Sequence, residues 1–242
     1  MDAKEFAAAY AEAFGPAAGL PLLFWYSPEP VRAVPKIEGC FFKALGEACE
    51  GLPVSLNAGN IGCGGGKFYT GFTPMPPFVP TFVSQKEHYK QTPEMVLDFI
   101  GRLGVPEASG AWLNFARIDT PQAVEAFGTA DGMLFLATPD VLSGLVSWAV
   151  YDNNADDAVR APFGSGCSAV VTQAVQENRR GGRSVFLGLF DPSVRPWVGE
   201  SVLSFVAPMS RLREMYGTMR ASCLFGTHAW NKVRDRINKK NI

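Results

Sequence analysis

The chain has 242 residues, of which 47% are hydrophobic and 19% charged, and its formal net charge is -1. That composition excludes intrinsic disorder and predicts a globular chain that buries roughly 70–75% of its unfolded surface. The near-neutral charge argues against nucleic acid as a partner, because nucleic acid calls for a basic face.

The apolar pattern opens with a helix, since Phe6, Tyr10 and Phe14 recur every fourth residue and Gly15-Pro16 ends the stripe. Leu20–Tyr26 is a dense apolar run closed by Ser27-Pro28, which predicts a buried strand. Cys40, Phe41, Ala44, Leu45 and Ala48 mark one face of a second helix, closed by Gly51, and Pro53–Leu56 predicts a short strand. The stretch from Asn57 to Pro80 has no periodicity. It holds Gly59, Gly62, Gly64, Gly65, Gly66 and Gly71, then Pro74, Pro76, Pro77 and Pro80, and so predicts a long loop acting as a lid or site loop.

Thr92-Pro93-Glu94 reads as an N-cap followed by proline in the first turn, with Met95, Phe99 and Leu103 along the helix face. Ala111–Arg117 and Gly132–Ala137 predict strands, separated by a short helix from Thr120-Pro121. Pro139–Tyr151 predicts a buried helix, apolar on most sides. Ala158–Phe163, Ser184–Phe190 and Val202–Val206 predict further strands, and Ser168–Asn178, Pro208–Met219 and Leu224–Lys239 further helices. The alternation predicts a single domain over residues 1–242, α/β or α+β, with a mixed sheet flanked by helices.

Met1 to Tyr10 carries Asp2 and Glu5 and lacks a basic-then-apolar leader, and no apolar run reaches the length of a membrane span. The expectation is a cytoplasmic protein whose five cysteines are thiols, with no membrane partner. The one basic run, Lys232 through Arg234, Arg236 and Lys239 to Lys240, reads as cations at the negative end of a last helix. The aromatic share of 12% suits either a core or an interface in a homo-oligomer.

Two segments set a cysteine among glycines: Gly62-Cys63-Gly64-Gly65-Gly66-Lys67 and Gly164-Ser165-Gly166-Cys167-Ser168. Glycine lets backbone N–H groups turn toward a ligand and lets the ligand approach. A cysteine at a helix start is expected to have a lowered pKa, and the thiolate is the form that attacks substrates and binds metals. The alternative is that the glycines serve turns and the cysteines fill the core. Cys49 and Cys223 read as helix packing. A P-loop is excluded, since Gly66-Lys67 would place its first glycine at Ile61 and its hydroxyl at Phe68. A dinucleotide site is disfavoured, because the strand ahead of Gly164 carries Arg160 and Pro162. His88 and His228 read as helix-surface residues. In Asp191-Pro192-Ser193-Val194-Arg195-Pro196, the prolines fix a rigid turn, Arg195 suits clamping an anion, and Glu200 suits acid–base work, with a structural Arg–Glu pair as the alternative.

In these residues the chain resembles the uncharacterised ArCR proteins, also called domain of unknown function 169. Four pieces in the same order carry the resemblance: Cys40-Phe41-Phe42-Lys43-Ala44, Gly62-Cys63-Gly64-Gly65, Gly166-Cys167-Ser168, and Arg195 through Glu200 ahead of a strand and Pro208. It runs from about Ala3 to Met219. Family members often carry Cys-Pro-Gly-Gly where this chain has Cys63-Gly64-Gly65-Gly66. The resemblance implies a prokaryotic cytoplasmic protein of this size, with Cys40, Cys63 and Cys167 in one shared pattern, and it implies no activity.

Three functions follow as expectations. The first is binding of a metal or iron–sulfur cluster by Cys40, Cys63 and Cys167. The second is a thiol-dependent enzyme with Cys63 or Cys167 as nucleophile and Arg195 holding a small anionic substrate. The third is a non-catalytic module whose loops bind an anion through backbone N–H groups; the candidate ligand-binding residues are Gly62, Cys63, Gly64, Gly65, Gly166, Ser168, Arg195 and Glu200.

Overall fold

The computed structural model describes residues 1–239. Lys240, the end of the basic run, lies outside the described residues. Seven strands form one mixed sheet: β1 (Leu22–Ser27), β2 (Val54–Leu56), β3 (Trp112–Arg117), β4 (Gly132–Ala137), β5 (Val159–Arg160), β6 (Val185–Gly188) and β7 (Leu203–Pro208). Their order across the sheet is β2-β3-β1-β4-β7-β6-β5. Neighbours run antiparallel except β5 and β6, which pair in parallel.

Successive strand residues point to opposite faces, and here both faces are covered. Leu23, Trp25, Met133, Phe135, Phe205 and Ala207 pack on one side. There they meet α1 (Ala3–Phe14) and α6 (Pro121–Ala126), with α7 (Pro139–Tyr151), α9 (Met209–Thr218) and α10 (His228–Lys239) completing the layer. Leu22, Phe24, Leu113, Phe115, Leu134 and Val206 pack on the other side. There they meet α2 (Phe42–Cys49), α3 (Gly64–Tyr69) and α8 (Gln173–Arg179). Cover on both faces is why β1 and β4 read as unbroken apolar runs rather than as alternating ones.

Local chemistry sets the helix ends. Asp2 accepts from the Glu5 N–H while the Glu5 carboxylate accepts from the Asp2 N–H, a capping box at the start of α1. Thr92 caps α5 (Pro93–Leu103) through the Met95 N–H, and Thr120 caps α6 through the Ala123 N–H. Trp148 on α7 is fully buried, and its indole N–H donates to the Met215 carbonyl at 2.7 Å, tying α7 to α9.

Several boundaries differ from the sequence expectation. The segment from Asn57 to Pro80 is not a continuous loop: it folds α3 and reaches α4 (Val79–Thr81), which continues into a π-helical turn, Phe82–Lys86. The strand expected at Ala158–Phe163 shrinks to two residues, because Pro162 has no N–H to give a ladder. Cys40 precedes α2 instead of lying on it. On α5 the buried residues are Val96 and Leu103, while Met95 points to solvent. On α7, Val150 is exposed. A tight turn through Gly226, at φ 75°, delays α10 to His228. His88 lies in irregular chain with φ 53°, not on a helix. No helix among the described residues is long and apolar enough to cross a membrane.

Candidate functional site

The sheet and helices on the α2–α3–α8 side bring the glycine loops together. Cys63 is the N-cap of α3, and its Sγ accepts from the Gly66 N–H at 3.2 Å. A Cβ at Gly66 would lie 2.9 Å from that sulfur, so glycine leaves the thiol its place. The Tyr69 carbonyl accepts from Thr172 Oγ1 at 2.5 Å, and the Thr70 carbonyl accepts from Tyr26 Oη at 2.6 Å. These bonds pin the end of α3 to the helical segment behind it and to β1.

Cys167 stands in the first helical turn ahead of the π-helical stretch Ser168–Thr172, which leads into α8. Its buried thiol is hydrogen-bonded to Cys40, the residue just before the turn into α2. Cys63 lies near enough to both for its charge state to bear on theirs. Three cysteines far apart in sequence therefore share one region.

Their acidities are not alike. The hydrogen bond from Cys167 lowers the pKa of Cys40 below the ordinary thiol value, and the Phe42 and Phe41 N–H groups help against the opposing effect of burial. Cys167, the donor of that bond and fully buried, is held well above the ordinary value. Burial also raises Cys63, and the Gly66 N–H only partly offsets it. The expectation of low-pKa thiols at Cys63 and Cys167 is thus reversed: Cys40 is the activated one. At Cys167 the bond to Cys40 together with desolvation, and at Cys63 desolvation, outweigh the effect of a helix start.

Beside this cluster opens a cleft of about 380 Å³. One wall is α3 with Cys63, Gly64, Gly65, Phe68 and Tyr69. Facing it are Phe78, Val79, Phe82 and Val83 from the turn that includes α4, and Val96 and Phe99 from α5. Tyr89, Phe163, Ser165, Asp191 and Ser193 complete the lining, with Glu87 and Lys90 as further charged groups. Tyr89 and Phe163 meet edge to face at 6.0 Å. The Lys90 ammonium sits 5.4 Å from the centre of the Phe99 ring. Burial pushes the Tyr69 hydroxyl up to about 12, so it is protonated at neutral pH.

The other expected site residues have structural duties. A Cβ at Gly62 would lie 2.0 Å from the Ile37 carbonyl oxygen, and one at Gly166 would crowd Val194, Leu189 and Phe42. Ser168 is buried and donates to the Ser165 carbonyl at 2.8 Å. Arg195 turns inward on its own loop: Nη1 donates to Val202 O at 2.5 Å, and Nη2 donates to Gly199 O and Glu200 O at 3.0 and 2.6 Å. Its donors are spent on backbone carbonyls, and neither Arg195 nor Glu200 lines the cleft. The expected Arg195–Glu200 contact exists only through the Glu200 carbonyl. The sequence reading missed the aromatic lining and Asp191. Phenylalanines scattered over four segments give no local signal of convergence.

The family model described as uncharacterised ArCR, domain of unknown function 169, matches residues 23–217. The chain belongs to the ArCR family. The matched span takes in all three converging cysteines and every residue of the cleft, so the site lies within the part of the chain that defines ArCR membership. No curated protein and no solved structure matches the chain.

Proposed function

We propose that this ArCR protein binds a small, largely apolar molecule in the aromatic cleft, with the thiol cluster beside the cleft as its reactive element. The observation that carries this reading is the cleft itself: a concave, mostly apolar cavity with a few converging polar groups at one end is the usual form of a small-molecule site. Its volume falls in the range of such sites, and Cys63 stands in its wall next to the Cys40–Cys167 pair.

The thiol half is tested by residue-resolved alkylation with iodoacetamide at neutral pH. Cys40 is expected to react on the order of tenfold faster than Cys49, because the thiolate is the nucleophile and burial raises Cys49 while Cys40 is lowered. Replacing the donor by Cys167→Ala should move the alkylation pH profile of Cys40 upward, toward the ordinary thiol midpoint of about 8.5. Equal rates at Cys40 and Cys49, or a profile indifferent to Cys167→Ala, would remove the thiol half. Binding is tested with phenethyl alcohol, followed by protein-observed NMR. Shifts should concentrate on α3, α5 and the Tyr89 and Phe163 segments.

The convergence of Cys40, Cys63 and Cys167 also supports a second reading, a bound metal or iron–sulfur cluster. The geometry fits it poorly. Cys40 and Cys167 are engaged with each other, Cys63 takes the Gly66 N–H, and no group of three or more His, Cys, Asp or Glu among the described residues is arranged to hold a metal ion. Stoichiometric iron and sulfide in protein purified without oxygen, lost in Cys63→Ser, would establish the cluster over the thiol reading.

A further inference from the structure

The cleft ends on a carboxylate that the protein leaves half satisfied. Asp191 is only 2% exposed. One of its oxygens accepts from the Ser193 hydroxyl, and the other, Oδ2, has no hydrogen-bond partner. No cation among the described residues pairs with it. Lys90, which also lines the cleft, stands over the Phe99 ring instead. Burying a carboxylate oxygen without a donor is costly, and such a group in a cavity wall calls for an explanation, of which an arriving donor is one.

The surroundings of Asp191 sharpen what that donor is. Its neighbours are the Cys40 and Cys167 thiols and the Tyr69 and Tyr89 hydroxyls, all of which feel its negative charge. With that carboxylate unpaired, this end of the cleft is electronegative. It is also walled by the rings of Tyr69, Tyr89 and Phe163, whose faces attract cations.

The loop is built to hold the carboxylate there. Leu189, two residues earlier, adopts φ 68°, a left-handed conformation that strains a branched side chain. Arg195 then braces the loop that carries Asp191, through the carbonyls of Leu189, Gly199, Glu200 and Val202.

We propose that Asp191 anchors the cationic amine of a ligand whose apolar or aromatic body fills the cleft. The inference rests on the small-molecule reading above and assigns the ligand's class. An ammonium group pairs with the Asp191 carboxylate and is flanked by aromatic rings, while the body meets Phe68, Val96, Phe99 and Phe163.

The test compares three probes of similar shape and different charge: phenethylamine, phenethyl alcohol and hydrocinnamate, titrated by protein-observed NMR into the wild type and Asp191→Asn. The amine is expected to bind the wild type on the order of tenfold tighter than the alcohol, as a charge-assisted hydrogen bond predicts. In Asp191→Asn that preference should vanish, the amine losing on the order of tenfold more affinity than the alcohol. An amine no tighter than the alcohol, or a preference that survives Asp191→Asn, overturns the anchor and leaves the pocket reading standing. Tightest binding of hydrocinnamate overturns it as well. Failure of all three probes to bind would sink the pocket reading itself. The wild-type ranking needs no variant, so the test holds even if Asp191→Asn does not fold.

Discussion

Gly62→Ala is expected to destabilise the protein by about 3 kcal/mol or more, whereas Gly65→Ala, three positions along the same glycine-rich segment, stays within about 1 kcal/mol of the wild type. The two glycines look equivalent in sequence and are opposites in space. A Cβ at Gly62 would stand 2.0 Å from the Ile37 carbonyl oxygen, a backbone atom, while one at Gly65 meets nothing within 4 Å. Ile37 has no room to retreat. Its N–H donates to the Asn60 carbonyl at 2.8 Å, and the Asn60 amide donates to Val34 O and Ser55 O at 3.1 and 2.9 Å. The Ile61 N–H donates to Asn57 O at 3.0 Å, closing the turn. A methyl group at Gly62 must therefore break this stitching or push the two segments apart. Gly65 lies inside α3, where alanine is the better helix former. Urea unfolding decides it: a midpoint shifted down for Gly62→Ala at unchanged slope, and close to wild type for Gly65→Ala. Equal midpoints for the two variants would show that the Ile37 contact is not a constraint.

Arg211→Met is expected to cost about 3 kcal/mol near neutral pH, by stranding a carboxylate whose main partner is lost. For a chain of this size that corresponds to a fall in Tm of roughly 6–12 °C. The Arg211 side chain is 0% exposed; it reaches both Asp152 and Glu214, and its Nη2 also donates to the Ala149 carbonyl at 2.9 Å. It joins the end of α7 to α9. The Arg211 hydrogen bond holds the Asp152 carboxyl below its ordinary value. For Glu214, burial opposes the same shift and Arg183 and Arg211 overcome it. A carboxylate with a depressed folded pKa adds stability that is present above its unfolded value, about 4, and is lost as pH falls through the folded value. The gap between wild type and Arg211→Met should accordingly be full near pH 7 and narrow toward about pH 3. A gap that is constant with pH would assign the loss to packing alone.

Much of the fold is legible in the chain because local physics suffices for it. The Phe6, Tyr10 and Phe14 stripe of α1, the Thr-Pro starts of α5 and α6, and the apolar runs of β1 and β4 fall where the sequence places them. Each of those signals depends on residues within one turn or one strand. The ArCR resemblance was likewise readable, since it rests on short ordered motifs, and the family match bears it out.

Tertiary structure decided everything that depends on long-range approach. It set the strand order β2-β3-β1-β4-β7-β6-β5 and brought Cys40, Cys63 and Cys167 into one region. It also chose which thiol is activated, because acidity follows burial and hydrogen-bond donors rather than motif. Arg195, an attractive anion clamp in sequence, is consumed by its own loop's carbonyls, while Asp191 beside it is left buried with an open oxygen. A sequence states which groups are charged. Only the packed chain determines which of those charges are already satisfied and which face a cavity.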